Sequence, residues 1–321
     1  MNATETPDSS PPYVFVVGCP RSGTTLLQRM LDAHPMLAVA NDTHFIPQVI
    51  SKVRTEDETL LTPERVEFVR SYKRFPRLGV DDDVVDQAAE RSATYPEFVS
   101  ELYTEMARAQ GKPLSGEKTP DYVRCIPLLH RLFPDARFVH IIRDGRDVAL
   151  STLQWANEKK GPGRFELWQE QPLAVCALWW AWQVGSGRRD GARIGAEHYF
   201  ELCYEDLTAE PETQLQLVSE FLDLPYATEM ADFHVGKTRE GTKLSAKKAW
   251  LPATSGLRDW RNDLSDADQA LFDALSGPLL QDLGYPRHAE TIDESITAIA
   301  QYCEKWWRQE MRRRETKAKR V

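Results

Sequence analysis

Tyr13-Val14-Phe15-Val16-Val17-Gly18-Cys19-Pro20-Arg21-Ser22-Gly23-Thr24-Thr25-Leu26-Leu27 decides the fold. The run Tyr13 to Val17 is apolar, rich in β-branched side chains, and bounded by Pro12 and Gly18, so it reads as a fully buried strand. Leu26, Leu27, Met30 and Leu31 then recur at helical spacing until His34-Pro35 stops the helix. Strand, glycine-flanked turn and helix in this order make an anion cradle. Backbone N–H groups of the turn and of the helix N-terminus point at one place, and the helix dipole adds to them. The plain alternative, a turn that binds nothing, leaves the alignment of the three elements unexplained.

Outward from this unit the same alternation continues. Leu37-Ala38-Val39-Ala40 reads as a second strand, and Leu114-Ser115-Gly116 leads into Glu117-Lys118-Thr119-Pro120 as a strand end or loop. Ala136 to Ile142 is another buried strand, closed by the turn Arg143-Asp144-Gly145-Arg146-Asp147, with a helix from Val148. The last strand lies within His198 to Leu207, before a helix over 211–222. The expected class is α/β: a P-loop-type parallel β-sheet flanked by helices, with helical insertions. Residues 1–12 read as a disordered lead-in and 13–290 as one core domain. Within it, 52–112 is a helical insertion on the acceptor side, broken at Pro63, Pro76 and Pro96. The Lys/Thr/Ser/Gly-rich stretch 235–256 reads as loop. Residues 291–321 form an amphipathic helix with a basic tail, opened by a capping box at Thr291-Ile292-Asp293-Glu294.

Composition narrows the function classes. The 321 residues are 41% hydrophobic and 28% charged, as in an ordinary globular protein. Lys and Arg number 40 against 49 Asp and Glu, a net charge of −9 that argues against general nucleic-acid or anionic-membrane binding. A small anion held by a few local cations stays open. The 5 cysteines are scattered and never spaced C-x-x-C, so neither a disulfide framework nor a zinc site is expected, and reduced cytoplasmic thiols are. No secretory leader is read, and no apolar run approaches the roughly 20 residues of a membrane span.

The cradle departs from a nucleoside-triphosphate loop in two ways. Thr24 stands where a Walker lysine would serve the β- and γ-phosphates, and the cation has moved into the loop as Arg21. After the Phe138–Ile142 strand, where a Walker B acid would help hold Mg²⁺, Arg143 stands instead, a residue suited to phosphate itself. Two anion sites without an evident metal site point to a nucleotide with phosphates at two separate positions.

In these residues the chain resembles the sulfotransferases that use 3′-phosphoadenosine 5′-phosphosulfate (PAPS). Pro20 to Leu26 is similar to their 5′-phosphosulfate loop, Arg143 to Ser151 to their 3′-phosphate motif, and Tyr204-Glu205-Asp206-Leu207 to a further element at a strand end. Leu31-Asp32-Ala33-His34-Pro35 and Thr43-x-x-Ile46-Pro47 bring it nearest to the tyrosylprotein sulfotransferases and related bacterial enzymes. The resemblance covers about residues 13–50 and 114–285, leaving out the insertion and the tail.

The resemblance implies roles. Ser22, Gly23, Thr24 and Thr25 hold the 5′-phosphate by N–H groups and hydroxyls, and Arg21 reaches the bridging and sulfuryl oxygens. Arg143 and Ser151 take the 3′-phosphate. Tyr204 touches the adenine or is a packed aromatic. Arg258 belongs to a C-terminal loop that closes over the 3′-phosphate, or to a surface ion pair. Lys118 stabilises charge at the bridging oxygen, unless it is an ordinary surface lysine. Aryl and steroid sulfotransferases have a basic His two residues after the corresponding lysine, where this chain has Pro120. The tyrosylprotein type has a Glu where this chain has Asp42, one methylene shorter. His44, which stands where that family has Arg, is either the base or a group that orients the acceptor. Asp121 is an outlying candidate.

The implied activity is in-line transfer of a sulfuryl group to a hydroxyl or amine of a small-molecule acceptor, with PAP as product and no metal. The partners expected are that acceptor alone, neither nucleic acid nor membrane, with a homodimer left open. Trp155, Phe165, Trp168, Trp179, Trp180 and Trp182 line an acceptor pocket or form helix core. A P-loop kinase or NTPase, and a PAP-binding protein without transfer activity, are the competing classes.

Overall fold

The structure, a computed structural model, describes residues 11–156, 160–236, 253, 259–288 and 291–320, with side chains to 316. Arg258, most of the 235–256 stretch and most of the lead-in lie outside the described residues. The chain forms two compact units, one of Met1–Ile142 with Ser186–Ser255 and the other of Arg143–Gly185 with Gly256–Val321.

The first unit is built on a parallel sheet of β1 (Val14–Val17), β2 (Leu37–Asn41), β3 (Leu114–Lys118), β4 (Arg137–Ile142) and β5 (Tyr199–Cys203), in the order β2-β3-β1-β4-β5. The anticipated strands are all present, and Glu117-Lys118, read as a strand end or loop, belongs to β3 in full. Phe15, Val17, Ala38 and Phe138 enter one core cluster, while Val14, Val16, Leu37, Val39, Val139 and Ile141 enter another. This alternation means that both sheet faces are covered, which is why the strands read as continuous apolar runs. On the second face lies α1 (Thr24–Asp32).

Elements from the insertion join the first cluster. After α2 (Phe45–Lys52) come α3 (Pro63–Ser71), the 3-10 turn Phe75–Leu78, α4 (Asp82–Arg91) and α5 (Tyr95–Ala109). Pro63, Pro76 and Pro96 each occupy a first-turn position, where a missing N–H costs nothing. They start helices rather than interrupt them. Thr94 and Glu97 complete a capping box on α5. α6 (Ile126–Leu132) leads to β4, and α9 (Tyr204–Ala209) follows β5 at once, ahead of α10 (Pro211–Phe221). Registers Val16↔Lys118 and Asn41↔Lys118 bring the C-terminal ends of β1, β2 and β3 together. Ligands of parallel α/β sheets bind at that edge.

The described part of the second unit is helical: α7 (Gly145–Trp155), the first part of α8 (Pro172–Ile194), the single turn α11 (Trp260–Asp263), α12 (Asp266–Asp282) and α13 (Glu294–Arg320). α7 starts at Gly145, inside the segment read as a turn. Trp179 and Trp180 are fully buried, Trp182 packs against Trp307, and Phe165 packs against Trp307 and under the Arg314 guanidinium. These aromatics are core of this unit, the second of the two readings above. The capping box at Thr291 does not form: Asp293 accepts from the Ser295 amide and caps α13 in its place. An Asp one residue before the first helical position takes over the N-cap role, which moves the cap two residues past Thr291.

Candidate active site

The phosphate loop follows β1 and enters α1 through Gly23, which sits at φ 92°. A side chain there would meet the ring of Tyr204 at 2.4 Å, so both conformation and space require glycine. Tyr204 is buried against this glycine, the packed-aromatic arrangement. Gly18 is fixed by close approach, since a Cβ would stand 2.5 Å from the Ile141 carbonyl. α1 has no side-chain cap. Its first N–H groups, those of Gly23, Thr24 and Thr25, are therefore donors for an anion. The Ser22 N–H bonds the Cys19 carbonyl at 3.1 Å, while its hydroxyl is buried and without a partner. Arg21 lies within the loop at φ 82°.

Asp42 and His44 lie at the end of β2 and share a second left-handed turn, at φ 66° and 64°. Non-glycine residues keep this conformation only when their surroundings hold it. Here the Asp42 amide bonds the Lys118 carbonyl at 2.7 Å and extends the β2–β3 ladder by one residue. Lys118, 2% exposed, lies with Nζ 3.5 Å from Asp42 Oδ1 and 3.5 Å from Thr25 Oγ1. It thus stands between the turn and the phosphate loop. His44 Nε2 is 3.4 Å from Asp42 Oδ1, and Arg77 and Arg74 reach Oδ2 at 3.3 and 3.9 Å.

These neighbours set the titration of the pair. Burial by itself pushes the Asp42 carboxyl up, but the His44 hydrogen bond and the charges of Lys118 and Arg74 outweigh it. They hold the group well below the usual carboxylate range. Burial pushes Lys118 below the ordinary lysine value, against the opposing pull of Asp42 and Glu117. Asp121 instead pairs with Arg124 at 3.3 Å.

In the second unit Arg143 is 5% exposed and lies 3.6 Å from Asp147. Its carbonyl accepts from the Trp180 indole at 3.2 Å. Ser151 is buried two turns along α7. Asp144 caps α7, its carboxylate accepting the Arg146 amide at 3.0 Å.

A model described as the sulfotransferase family matches residues 12–228, more than half of the chain. The chain belongs to that family. It is 25% identical over 283 residues to protein-tyrosine sulfotransferase A of Caenorhabditis elegans, covering 87% of this chain and 68% of that protein. To human protein-tyrosine sulfotransferase 1 it is 26% identical over 286 residues, covering 87% and 70%. The sulfotransferase domain of the Synechococcus PCC 7002 olefin synthase shares its fold, with a TM-score of 0.57 at 20% identity over 88% of this chain and 98% of that one.

This sulfotransferase places several groups at its site that the sequence did not single out. Arg74 and Arg77 come from the insertion, more than thirty residues beyond Asp42, as the Arg77–Asp42 separation of 35 shows. Glu117 is fully buried beside Lys118 and receives the Thr43 amide. Tyr122 takes the Ile46 amide at 3.2 Å and sets its ring edge-on to His44. The only signal for Glu117 was its place next to a singled-out lysine. For the two arginines there was none, because their approach depends on how the insertion folds back. Among the described residues no group of His, Cys, Asp and Glu is placed to hold a metal ion, and no helix is long and apolar enough to cross a membrane.

Proposed function

We propose that the enzyme transfers the sulfuryl group of PAPS to a phenolic hydroxyl by in-line displacement. The observation that carries this reading is Lys118 Nζ at 3.5 Å from both Thr25 and Asp42, one buried cation shared by the anion cradle and the candidate base. PAPS supplies an activated sulfuryl group on a phosphosulfate anhydride. The uncapped α1 and the orphaned Ser22 hydroxyl suit its 5′ side. Gly23, Thr24 and Thr25 bind there by N–H groups, with Ser22 and Arg21 beside them. Arg143 and Ser151 bind the 3′-phosphate. Lys118 and Arg21 stabilise the charge that develops on the leaving phosphate.

Asp42 stays ionised at neutral pH and accepts a hydrogen bond from the acceptor hydroxyl. With its basicity so low, it takes the proton late, once the departing sulfuryl group has made the hydroxyl more acidic. His44, bonded to the same carboxylate, orients the acceptor. The relatives' printed activity, on protein tyrosine, supports a phenol. So do Arg74 and Arg77, 34% and 41% exposed, which surround Asp42 with positive charge despite the acidic whole and suit an anionic peptide. A small phenol presents the same hydroxyl, and the test separates the two. The reading keeps the enzyme in the cytoplasm with its 5 cysteines as free thiols.

Radiolabelled sulfuryl from PAPS is offered to an acidic tyrosine-containing peptide and to free 4-nitrophenol, each with EDTA. Label is expected on the peptide first and to survive the chelator. Transfer of γ-phosphate from ATP with Mg²⁺, or PAP binding with no transfer to either acceptor, would overturn the reading. In parallel, PAP should raise Tm far more than AMP. Arg143→Ala should remove most of that difference, since a charge-assisted hydrogen bond contributes about 1.5–3 kcal/mol.

A further inference from the structure

Consecutive residues of the turn after β2 are matched to consecutive residues of β3. Asp42 bonds Lys118, by its amide and its carboxylate, while Thr43 bonds Glu117. Neighbouring strand residues point to opposite faces, so the turn grips the end of β3 from both sides. Lys118 faces Thr25 of the phosphate loop, and Glu117 faces Tyr103 of α5.

Glu117 is 0% exposed, and every bond it makes is at the turn or behind it. Oε1 accepts the Thr43 amide at 3.0 Å and the Thr119 hydroxyl, and Oε2 accepts the Tyr103 hydroxyl at 2.7 Å. Tyr103 Oη also lies 3.3 Å from Thr43 Oγ1, so Thr43 is held by both its backbone and its side chain. Thr43 itself is fully buried, and it sits between the two left-handed residues. A buried carboxylate receiving three donors is costly to assemble in the interior of a protein. Nothing about β3 as a strand requires one there. What the arrangement does is fix the residue between Asp42 and His44.

We infer that Glu117 is a positioning residue for the reaction proposed above: through the Thr43 amide, and with the Tyr103 hydroxyl, it fixes the turn that carries Asp42 and His44. The charged and titratable groups around Lys118 are Asp42 from the turn, Glu117 from its own strand and Arg77 from the insertion. Those around Asp42 are His44, Lys118, Arg74 and Arg77. Around Glu117, whose carboxyl burial pushes up, they are Tyr103, Tyr122, Lys118 and, farther off, Asp42. Removing the Glu117 charge lets Lys118 lose its proton at lower pH. Removing the side chain releases the turn.

Two substitutions separate the effects in the full chain, with PAPS as donor and whichever of peptide and 4-nitrophenol accepts label. Glu117→Gln keeps an acceptor for Thr43 and loses the charge, so the alkaline limb of the kcat profile should move to lower pH. Tyr103→Phe keeps the charge and should leave that limb in place while lowering kcat a few-fold. Glu117→Ala should lower kcat about 10-fold or more, change the PAP dissociation constant less than 3-fold, and speed hydrogen exchange at the Thr43 amide. If Glu117→Ala fails to fold, the Gln and Phe variants decide the matter alone. Wild-type kcat in both Glu117→Gln and Tyr103→Phe would overturn the inference. So would a folded Glu117→Ala with wild-type kcat. Full activity in Lys118→Ala would remove the underlying mechanism instead, a result the Glu117 variants do not mimic.

Discussion

The phosphate loop and the Asp42–His44 turn lie at the ends of β1 and β2, the two strands that flank β3, and are made in opposite ways. Both use left-handed residues, Arg21 and Gly23 in one and Asp42 and His44 in the other. The phosphate loop offers mainly backbone: a helix N-terminus without a side-chain cap, and glycines where neighbouring atoms leave no room for a Cβ. The turn offers side chains, and its chemistry depends on groups brought from β3 and from the insertion. A site made of backbone is insensitive to most side chains nearby but sensitive to anything that changes the path of the chain. A site made of converging side chains is the reverse.

Substitution tests this contrast. Lys118→Ala, which removes a group touching both regions, should have the largest effect, a loss of about 10³-fold in kcat, comparable to deleting a preorganised charge-stabilising donor. PAP affinity should fall far less; an equal loss in both would make Lys118 a binding residue and blur the contrast. Next, Asp42→Asn should lower kcat about 10²-fold with PAP affinity unchanged, and His44→Ala should cost less or raise the acceptor KM. Near-normal turnover in Asp42→Asn together with an inactive His44→Ala would make His44 the base.

The same variant carries a pH signature. The Asp42 pKa is depressed in the folded chain. Its stabilising contribution is therefore present above the ordinary Asp pKa, about 3.9, and is lost as pH falls through the lower folded value. Below about pH 4 the wild type should lose Tm more steeply than Asp42→Asn. Parallel acid curves would mean that the ion pairs around Asp42 do not persist in solution.

A smaller effect is expected at the backbone-built site. Gly23→Ala should destabilise by about 1–3 kcal/mol from the left-handed conformation alone, with displacement of Tyr204 in addition. An unchanged Tm would show that the loop has another accessible path. The smallest effect should come from Ser22→Ala, a few-fold in PAP affinity by calorimetry. A complete loss there would mean that the hydroxyl, and not the N–H groups, holds the anion.

This difference in construction also governs what could be read from the chain. The strand–loop–helix around Gly18 and Gly23 was legible because its parts are contiguous and each has a local physical signature. Lys118 and Asp42 were legible as candidates through a resemblance, but their mutual approach is a consequence of the β2–β3 register. Arg74 and Arg77 left no trace in the local pattern, since their position depends on the path of the chain between α3 and α4. The aromatic stretch around Trp179 left two readings open because an i, i+3 spacing serves a pocket wall and a core equally well. Thr291-x-x-Glu294 misled for a related reason: two side chains competed for one helix start, and the nearer, Asp293, holds it.

Gly145 stands in the middle of Arg143-Asp144-Gly145-Arg146-Asp147, where it is easily taken for part of the phosphate chemistry. A Cβ there would lie 2.5 Å from the Trp180 ring and 2.8 Å from that of Phe272. The letter G in the motif thus records the room left by two aromatics far downstream, Trp180 and Phe272. A search pattern that insists on that glycine selects for a particular core. Enzymes with smaller residues at both of these positions have room for alanine or serine in the motif and would pass unnoticed. A designer who shrinks both rings gains a site for variation inside what looks like an inviolable signature.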